Sequence, residues 1–143
     1  MGIVLASIFL FLCCGTSSDN FTPTFDGDQA YQYLVRQCEF GPRVPGSEAH
    51  GQCLNFLIEE LQEFGAQVTP QLFSKRLPGY ETPIKLTNVI ASFGLQKSER
   101  ILLCAHWDTR PWADQDPDPD NHSEPIIGAN DGASGVAVLL EVA

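Results

Sequence analysis

Two short stretches of the chain carry residue types that can bind a metal ion. His106 and Asp108 lie two positions apart at the end of an apolar segment, so an extended backbone would point both side chains the same way. Asp131 lies in a turn between Gly128 and Gly132, where glycine lets the chain turn tightly. Imidazole nitrogen and carboxylate oxygen are zinc ligands, and a carboxylate commonly supports a ligand histidine. We therefore expect His106 and Asp131 to bind Zn²⁺, with Asp108 as the supporting carboxylate.

Each of these residues also has an ordinary structural interpretation. A histidine at the end of a strand often serves only packing, and an aspartate before a helix often caps it. The combination of His106, Asp108 and Asp131 favours the metal site over both alternatives. Nucleophilic or nucleotide chemistry has no support, because the sequence contains no G-x-S-x-G elbow, no P-loop and no dinucleotide-binding fingerprint.

The aspartate-rich segment 114–121 superficially resembles a calcium-binding loop. Counting from Asp114, Pro119 stands where such a loop needs glycine, and Pro125 stands where it needs glutamate. We therefore expect a solvated acidic loop without calcium. Three other ionisable residues lack partners at ligand spacing: His50, His122 and Glu141.

The spacing of apolar residues predicts two helices before the first strand. Asp26 or Asp28 can cap the first helix, and Ser47 can cap the second. Gly65 stands in the position that commonly ends a helix. A third, apolar helix begins at the glycine-rich turn, and Glu141 is expected on its surface.

Three strands are predicted between the second and third helices. Residues 66–73 form an edge strand, because a proline suits an edge better than a centre, and residues 86–93 form the next. Residues 101–106 are apolar without alternation, as expected for a central strand covered on both faces. Two-sided burial requires helices on both sides of the sheet, hence a layered α/β fold. The long loop 107–127 leaves the carboxyl end of this strand, where open α/β sheets bind ligands.

The length and charge of the chain exclude some functions. The 143 residues suffice for one ordinary domain, and a net charge of −10 argues against nucleic acid as a partner. Residues 136–143 form an apolar helical run without a stop signal. We expect the chain to be the N-terminal part of a larger α/β domain.

The N-terminal region resembles an export signal. Residues 1–14 are almost entirely apolar and too short to span a bilayer, and residues 15–25 form a polar tether before the domain at 26–143. Cys14 or Cys13 could carry a lipid, as in bacterial lipoproteins; a plain cleaved signal peptide is the alternative. We expect an exported protein, either periplasmic or anchored to the membrane as a lipoprotein.

Three cysteines follow the export segment. Cys104 lies within the apolar third strand and is expected in the core. An oxidising compartment would permit one disulfide, and Cys38 with Cys53 is the pair expected to be neighbours. Whether that pair is bridged stays open.

Three motifs together resemble a known family. They are FGPRVPGS at 40–47, AHWDTRPWAD at 105–114 and GANDGASG at 128–135. They are similar to the M28 zinc peptidase family, and more narrowly to its exported bacterial glutaminyl-peptide cyclotransferase branch. The resemblance implies a zinc-exopeptidase-like fold, with a three-layer mixed β-sheet flanked by helices, of which this chain is an N-terminal fragment truncated after the first half.

The resemblance also implies roles for individual residues. Asp131 matches a zinc-binding aspartate, and Asp108 matches the supporting carboxylate. His106 matches the first ligand of the two-zinc aminopeptidases, whereas in single-zinc cyclotransferases the same histidine lies beside the metal. The remaining catalytic residues would lie beyond Ala143, so the 143-residue form is expected to be inactive alone.

The implied activity is that of an acyltransferase acting on peptides or proteins with N-terminal glutamine. The enzyme would form pyroglutamate, release ammonia and use one Zn²⁺. A two-zinc aminopeptidase is the first alternative. The second is a non-catalytic exported remnant that serves as an interaction module, and reading the gene past codon 143 would decide it. Oligomeric state is left open.

Overall fold

The computed structural model describes residues 23–143. The predicted export segment at 1–14, both candidate lipid-bearing cysteines and most of the tether lie outside the described residues. The described elements, in chain order, are α1 (Gly27–Glu39), α2 (Glu48–Glu63), β1 (Gln67–Lys75), β2 (Ile84–Ser92), a short 3-10 turn (Pro119–Asn121) and α3 (Ser134–Val142).

Both predicted helix starts before the first strand are confirmed. The Asp26 carboxylate accepts hydrogen bonds from the main-chain N–H groups of Asp28 and Gln29, each at 3.0 Å. The Ser47 hydroxyl accepts from the His50 N–H at 3.1 Å. These side chains replace intrahelical partners that the first turn of a helix lacks.

Glu141, which the sequence analysis placed on the surface of the third helix, connects α3 to the start of α1. One carboxylate oxygen of Glu141 accepts a hydrogen bond from the Asp26 N–H at 2.8 Å. The end of α3 therefore meets the start of α1, where a negative charge also suits the positive end of the helix dipole.

Strands β1 and β2 form an antiparallel pair, with Gln67 opposite Ser92 and Lys75 opposite Ile84. Pro70 lies within β1 opposite Val89, and the side chains of β1 are almost all exposed. A proline donates no hydrogen bond to a neighbouring strand, so its position agrees with the edge strand predicted for this region.

The prediction of a central strand at 101–106 is wrong for the structure described. The segment has no hydrogen-bonded neighbouring strand among residues 23–143. Ile101 and Leu102 are 90% and 87% exposed, and Cys104, predicted in the core, is also exposed. The physical reason is that no described layer covers the segment, whose apolar side chains instead line an open cavity of about 270 Å³ beside β2 and α3.

The hydrophobic core lies between the helices and the start of the long loop. Its fully packed members are Cys53, Leu57, Trp107, Val136 and Leu140. Six partly buried side chains surround them: Tyr33, Phe40, Leu54, Phe56, Leu61 and Phe64. Trp107 is thus a core residue placed between His106 and Asp108, which fixes both of them relative to the helices.

The predicted cysteine neighbours are present as free thiols. Cys38 and Cys53 are not bridged. Burial raises the pKa of the Cys53 thiol to about 11, with a smaller effect of the same sign from Cys38, so the Cys53 thiol stays protonated at neutral pH.

The described helices also bear on membrane insertion. Within residues 23–143, no helix combines the length and the apolar composition needed to cross a bilayer.

Candidate metal centre

Buried and exposed side chains alternate along residues 106–109, which contain His106 and Asp108. Trp107 and Thr109 are buried, at 9% and 4% exposure, whereas the His106 and Asp108 side chains are about half exposed, at 56% and 47%. Successive side chains of an extended backbone point to opposite sides. His106 and Asp108 therefore share the solvent-facing side, as the sequence predicted.

Trp107 anchors this segment through three kinds of contact. Its indole N–H donates to the Thr87 carbonyl of β2 at 3.2 Å. Its ring stacks on the His50 imidazole with 4.1 Å between ring centroids. Its main-chain carbonyl accepts from the buried Arg43 side chain at 3.0 Å. The position of His106 is therefore determined by its buried neighbour.

A glycine-bounded turn presents Asp131. Gly128 has φ +61° and Gly132 has φ +102°, values that side chains with a Cβ rarely adopt. Asp131 between them has φ −88° and ψ 94°, which is not helical. Helix α3 receives no side-chain cap, so the Asp131 carboxylate does not serve as a helix cap here.

The structure brings all three predicted residues together. His106 Nε2 lies 3.0 Å from Asp131 Oδ1. On the other side of the ring, His106 Nδ1 lies 3.1 Å from the main-chain carbonyl oxygen of Asp108. The Asp108 carboxylate is farther, at 3.8 Å from Nδ1. The closest support from Asp108 therefore comes through its backbone.

These contacts place an acceptor on each side of the imidazole. A neutral imidazole carries one N–H and can donate from only one ring nitrogen, whereas a carbonyl oxygen and an ionised carboxylate only accept. Both contacts of His106 are favourable together only if the ring carries a second proton or if a metal ion binds Nε2. The geometry is thus compatible with either a second ring proton or a metal ion at Nε2.

The donor atoms fit zinc. Zinc bonds of about 2.0–2.2 Å to nitrogen and oxygen hold two tetrahedral ligands about 3.4 Å apart, close to the 3.0 Å between Nε2 and Oδ1. Ligand histidines commonly donate their other N–H to a carbonyl oxygen, the relation seen at Asp108. Within residues 23–143, no third histidine, cysteine or carboxylate completes a metal-binding group.

His50 is the neighbour of the site that sequence reasoning missed. It lies buried against Trp107 and lines the same cavity as His106 and Asp108. Burial lowers the pKa of His50, and the Asp108 charge opposes that effect only in part. Burial therefore favours the neutral imidazole. No sequence signal could have found it, because more than 50 residues separate it from His106.

The acidic loop satisfies its own polar groups. The Asp116 carboxylate accepts hydrogen bonds from the Asp118 N–H and the Asn121 amide, and these bonds lower the pKa of Asp116. Arg110 pairs with Asp114 at 2.6 Å, and most of the loop is exposed. The loop is exposed to solvent, as the sequence predicted.

Gly132 is expected to be intolerant of a side chain. A Cβ there would lie 3.1 Å from His106 Cε1 and 3.3 Å from the Asp108 carbonyl oxygen. For Gly132→Ala in the full-length gene product, we expect the free energy of unfolding to fall by about 1–3 kcal/mol because of the left-handed backbone. Zinc affinity should also fall, because the new methyl group pushes the His106 ring. Chemical denaturation and zinc titration measure the two effects.

The matched control is Gly51→Ala, inside α2, where a Cβ would meet nothing within 4 Å. Alanine stabilises a helix by roughly 0.5–1 kcal/mol relative to glycine, so this variant should be at least as stable as the wild type and should bind zinc normally. A Gly132→Ala variant with unchanged zinc affinity would contradict the importance of the close approach.

Comparisons with known proteins relate the chain to one peptidase family and to several solved structures. A sequence profile described as Peptidase family M28 matches residues 88–143, which include all three candidate residues. Among solved structures, the glutaminyl cyclase of Tannerella forsythia is 49% identical with a TM-score of 0.81. The Bacteroides thetaiotaomicron glutaminyl cyclase bound to N-acetylhistamine is 52% identical with a TM-score of 0.79. A Zn-dependent exopeptidase of Parabacteroides distasonis is 48% identical with a TM-score of 0.79.

Each of these three matches covers 84% of this chain and 41% of the other chain. The chain thus spans less than half the length of these relatives. Together the fold and the paired His106 and Asp131 define a protein of the α/β, zinc-exopeptidase-like class. Residues 88–143 match peptidase family M28, and the chain is similar over most of its length to bacterial glutaminyl cyclases.

Proposed function

We propose that this chain forms part of a zinc-dependent glutaminyl-peptide cyclotransferase. The reaction converts the N-terminal glutamine of a peptide or protein into pyroglutamate and releases ammonia. One observation carries the proposal: His106 and Asp131 meet at 3.0 Å in a fold that is about half identical in sequence to bacterial glutaminyl cyclases. The similarity favours the cyclase over other reactions of zinc-exopeptidase-like proteins.

In the proposed site, Asp131 binds one zinc ion through its carboxylate. His106 contacts the Asp131 carboxylate through Nε2 at 3.0 Å and the Asp108 carbonyl through Nδ1 at 3.1 Å. His106 thereby holds the Asp131 carboxylate in one orientation. The Asp108 carboxylate lies beside the same ring, 3.8 Å from Nδ1.

The chemistry needs little more than positioning and charge stabilisation. The α-amine of the substrate attacks its own γ-amide carbon, the new C–N bond closes the ring, and the amide nitrogen leaves as ammonia after taking up a proton. Zinc, when bound, polarises the amide oxygen. Because attacking and attacked groups belong to one residue, proximity supplies a large part of the rate. The half-exposed side chains of His106 and Asp131 leave the site open to a peptide terminus.

Zinc stoichiometry tests this proposal against its main alternative. We expect one zinc ion for each polypeptide of the full-length gene product, measured by elemental analysis after dialysis against metal-free buffer. Two tightly bound ions would contradict the cyclotransferase proposal and favour the peptidase.

A two-zinc aminopeptidase is the second candidate, favoured by one specific observation. His106 Nε2 and Asp131 Oδ1, 3.0 Å apart, would both be available to bind a metal ion. In that case a metal-activated water would hydrolyse the first peptide bond. His106 would then be a metal ligand rather than a donor to Asp131.

A further inference from the structure

Arg43 is a buried charge that the proposed reaction does not use. It is 0% exposed, and its guanidinium donates to main-chain carbonyl oxygens of Trp107 at 3.0 Å, Gly128 at 2.9 Å, Gln37 at 3.2 Å and Gly41 at 3.4 Å. None of the ion pairs found in residues 23–143 includes Arg43. A buried charge without a counter-ion is normally unfavourable.

Two of the carbonyl groups that accept from Arg43 belong to the two segments of the metal centre, here called the His106 arm and the Asp131 arm. Trp107 directly follows His106, and Gly128 opens the turn that presents Asp131. The Arg43 carbonyl also accepts from the Thr109 N–H at 3.1 Å. One side chain therefore ties the His106 arm to the Asp131 arm, which are otherwise separated by the long acidic loop.

Gln37 holds the other end of the Asp131 turn. It is also 0% exposed, and its amide nitrogen donates to the Ala133 carbonyl at 3.1 Å and the Tyr33 carbonyl at 3.0 Å. With Arg43 on Gly128, the turn is held at both ends. Arg43 in turn contacts the Gln37 carbonyl, so the two side chains form one buried network.

The burial of Arg43 and Gln37 is not explained by a contribution to stability alone. The Gln37 amide oxygen is buried without a hydrogen-bond partner in residues 23–143, and such a group destabilises a fold. Arg43 is buried without a carboxylate. Replacing buried polar groups by apolar ones of similar volume is often neutral or stabilising. A role in geometry explains both residues better than a role in stability.

We propose that Arg43 and Gln37 form a positioning pair that sets the separation of His106 from Asp131 and thereby the zinc affinity of the site. Neither residue touches zinc or substrate. The planar guanidinium suits this task because its donors point in fixed directions and reach both arms at once, which a lysine ammonium cannot reproduce. The inference rests on the zinc site of the proposed function, but not on the reaction that the site performs.

The test is the zinc affinity of Arg43→Lys and Gln37→Leu in the full-length gene product, measured by competition with a chelator. Arg43→Lys keeps the positive charge but loses the planar set of guanidinium donors. We expect its zinc affinity to fall about tenfold, as for the loss of other groups that orient metal ligands. Gln37→Leu frees only one end of the turn and should lose less. The visible spectrum of the Co²⁺-substituted protein should shift for Arg43→Lys.

The control is Asp26→Ala, which removes the side-chain cap at the far end of α1 from Gln37. Loss of the cap should lower the melting temperature while zinc affinity and the Co²⁺ spectrum stay as in the wild type. If Arg43→Lys lowers the melting temperature but binds zinc like the wild type, the proposal is overturned. If Arg43→Lys does not fold, Gln37→Leu decides in the same way.

Failure of this inference and failure of the proposed function give different results. A wild-type protein that binds no zinc would contradict the proposed function itself. A wild-type protein that binds zinc, together with variants that bind it equally well, would contradict only the positioning pair.

Discussion

Replacing Asp131 by alanine is expected to abolish zinc binding and pyroglutamate formation by the full-length gene product. Asp131 is the one predicted ligand common to the one-zinc and two-zinc proposals, and its carboxylate is about 59% exposed toward the site. We expect zinc affinity to fall on the order of a thousandfold, well beyond the 10–100-fold typical of groups that only orient ligands. Equilibrium dialysis with zinc and a coupled ammonia assay measure both losses.

Two further variants separate ligand loss from loss of structure. Asp131→Asn keeps the shape of the side chain but removes its charge and replaces one acceptor oxygen by a donor, so it should fold normally and still bind zinc poorly. Asp120→Ala removes an aspartate from the exposed acidic loop and should leave zinc binding and activity unchanged. Full zinc occupancy after Asp131→Ala would refute the assignment of the site.

Replacing His106 by alanine is expected to weaken zinc binding about 10–100-fold without abolishing it. In the proposed cyclotransferase His106 orients the Asp131 carboxylate through the 3.0 Å contact and does not itself bind the metal. The variant should therefore retain measurable cyclisation at saturating zinc. The kcat/KM for a glutamine-initiated peptide, followed as a function of zinc concentration, provides the measurement.

The matched control is His122→Ala. His122 contacts the main-chain carbonyl of Asp116 within the acidic loop, so this variant should behave like the wild type in both zinc binding and activity. Complete loss of zinc and activity in His106→Ala would instead make His106 a metal ligand and favour the two-zinc aminopeptidase.

Local sequence signals were sufficient for the helix starts and for the proximity of the candidate site residues. Asp26, Ser47 and the glycine-rich turn at 128–135 act through neighbours a few residues away, and the structure places them as predicted. The assembly of His106 near Asp131 also follows from local rules, because an extended segment and a glycine-bounded turn leave few directions for either side chain.

The segment 101–106 could not be predicted from local signals, because strand pairing and burial depend on what lies beside the segment. An apolar run without alternation fits a covered central strand, yet Ile101 and Leu102 are exposed in the described residues. Cys104 was misplaced for the same reason. Composition sets the preference for burial, whereas the covering layer decides whether burial occurs.

The supporting contacts of the site were invisible in the sequence. Arg43 reaches Trp107 across 64 positions and Gly128 across 85, and His50 of α2 stacks on Trp107. Nothing in the spacing of these residues indicates that they meet. Long-range contacts of buried polar side chains appear only once the fold is known.

The central claim is that the Asp131 site cyclises N-terminal glutamine. It is tested most directly by incubating the zinc-loaded, full-length gene product with a glutamine-initiated peptide and determining the product by mass spectrometry. We predict a peptide of unchanged residue number that has lost one ammonia, and no such product from the Asp131→Ala variant. Release of free glutamine with a peptide one residue shorter would contradict the account and identify an aminopeptidase.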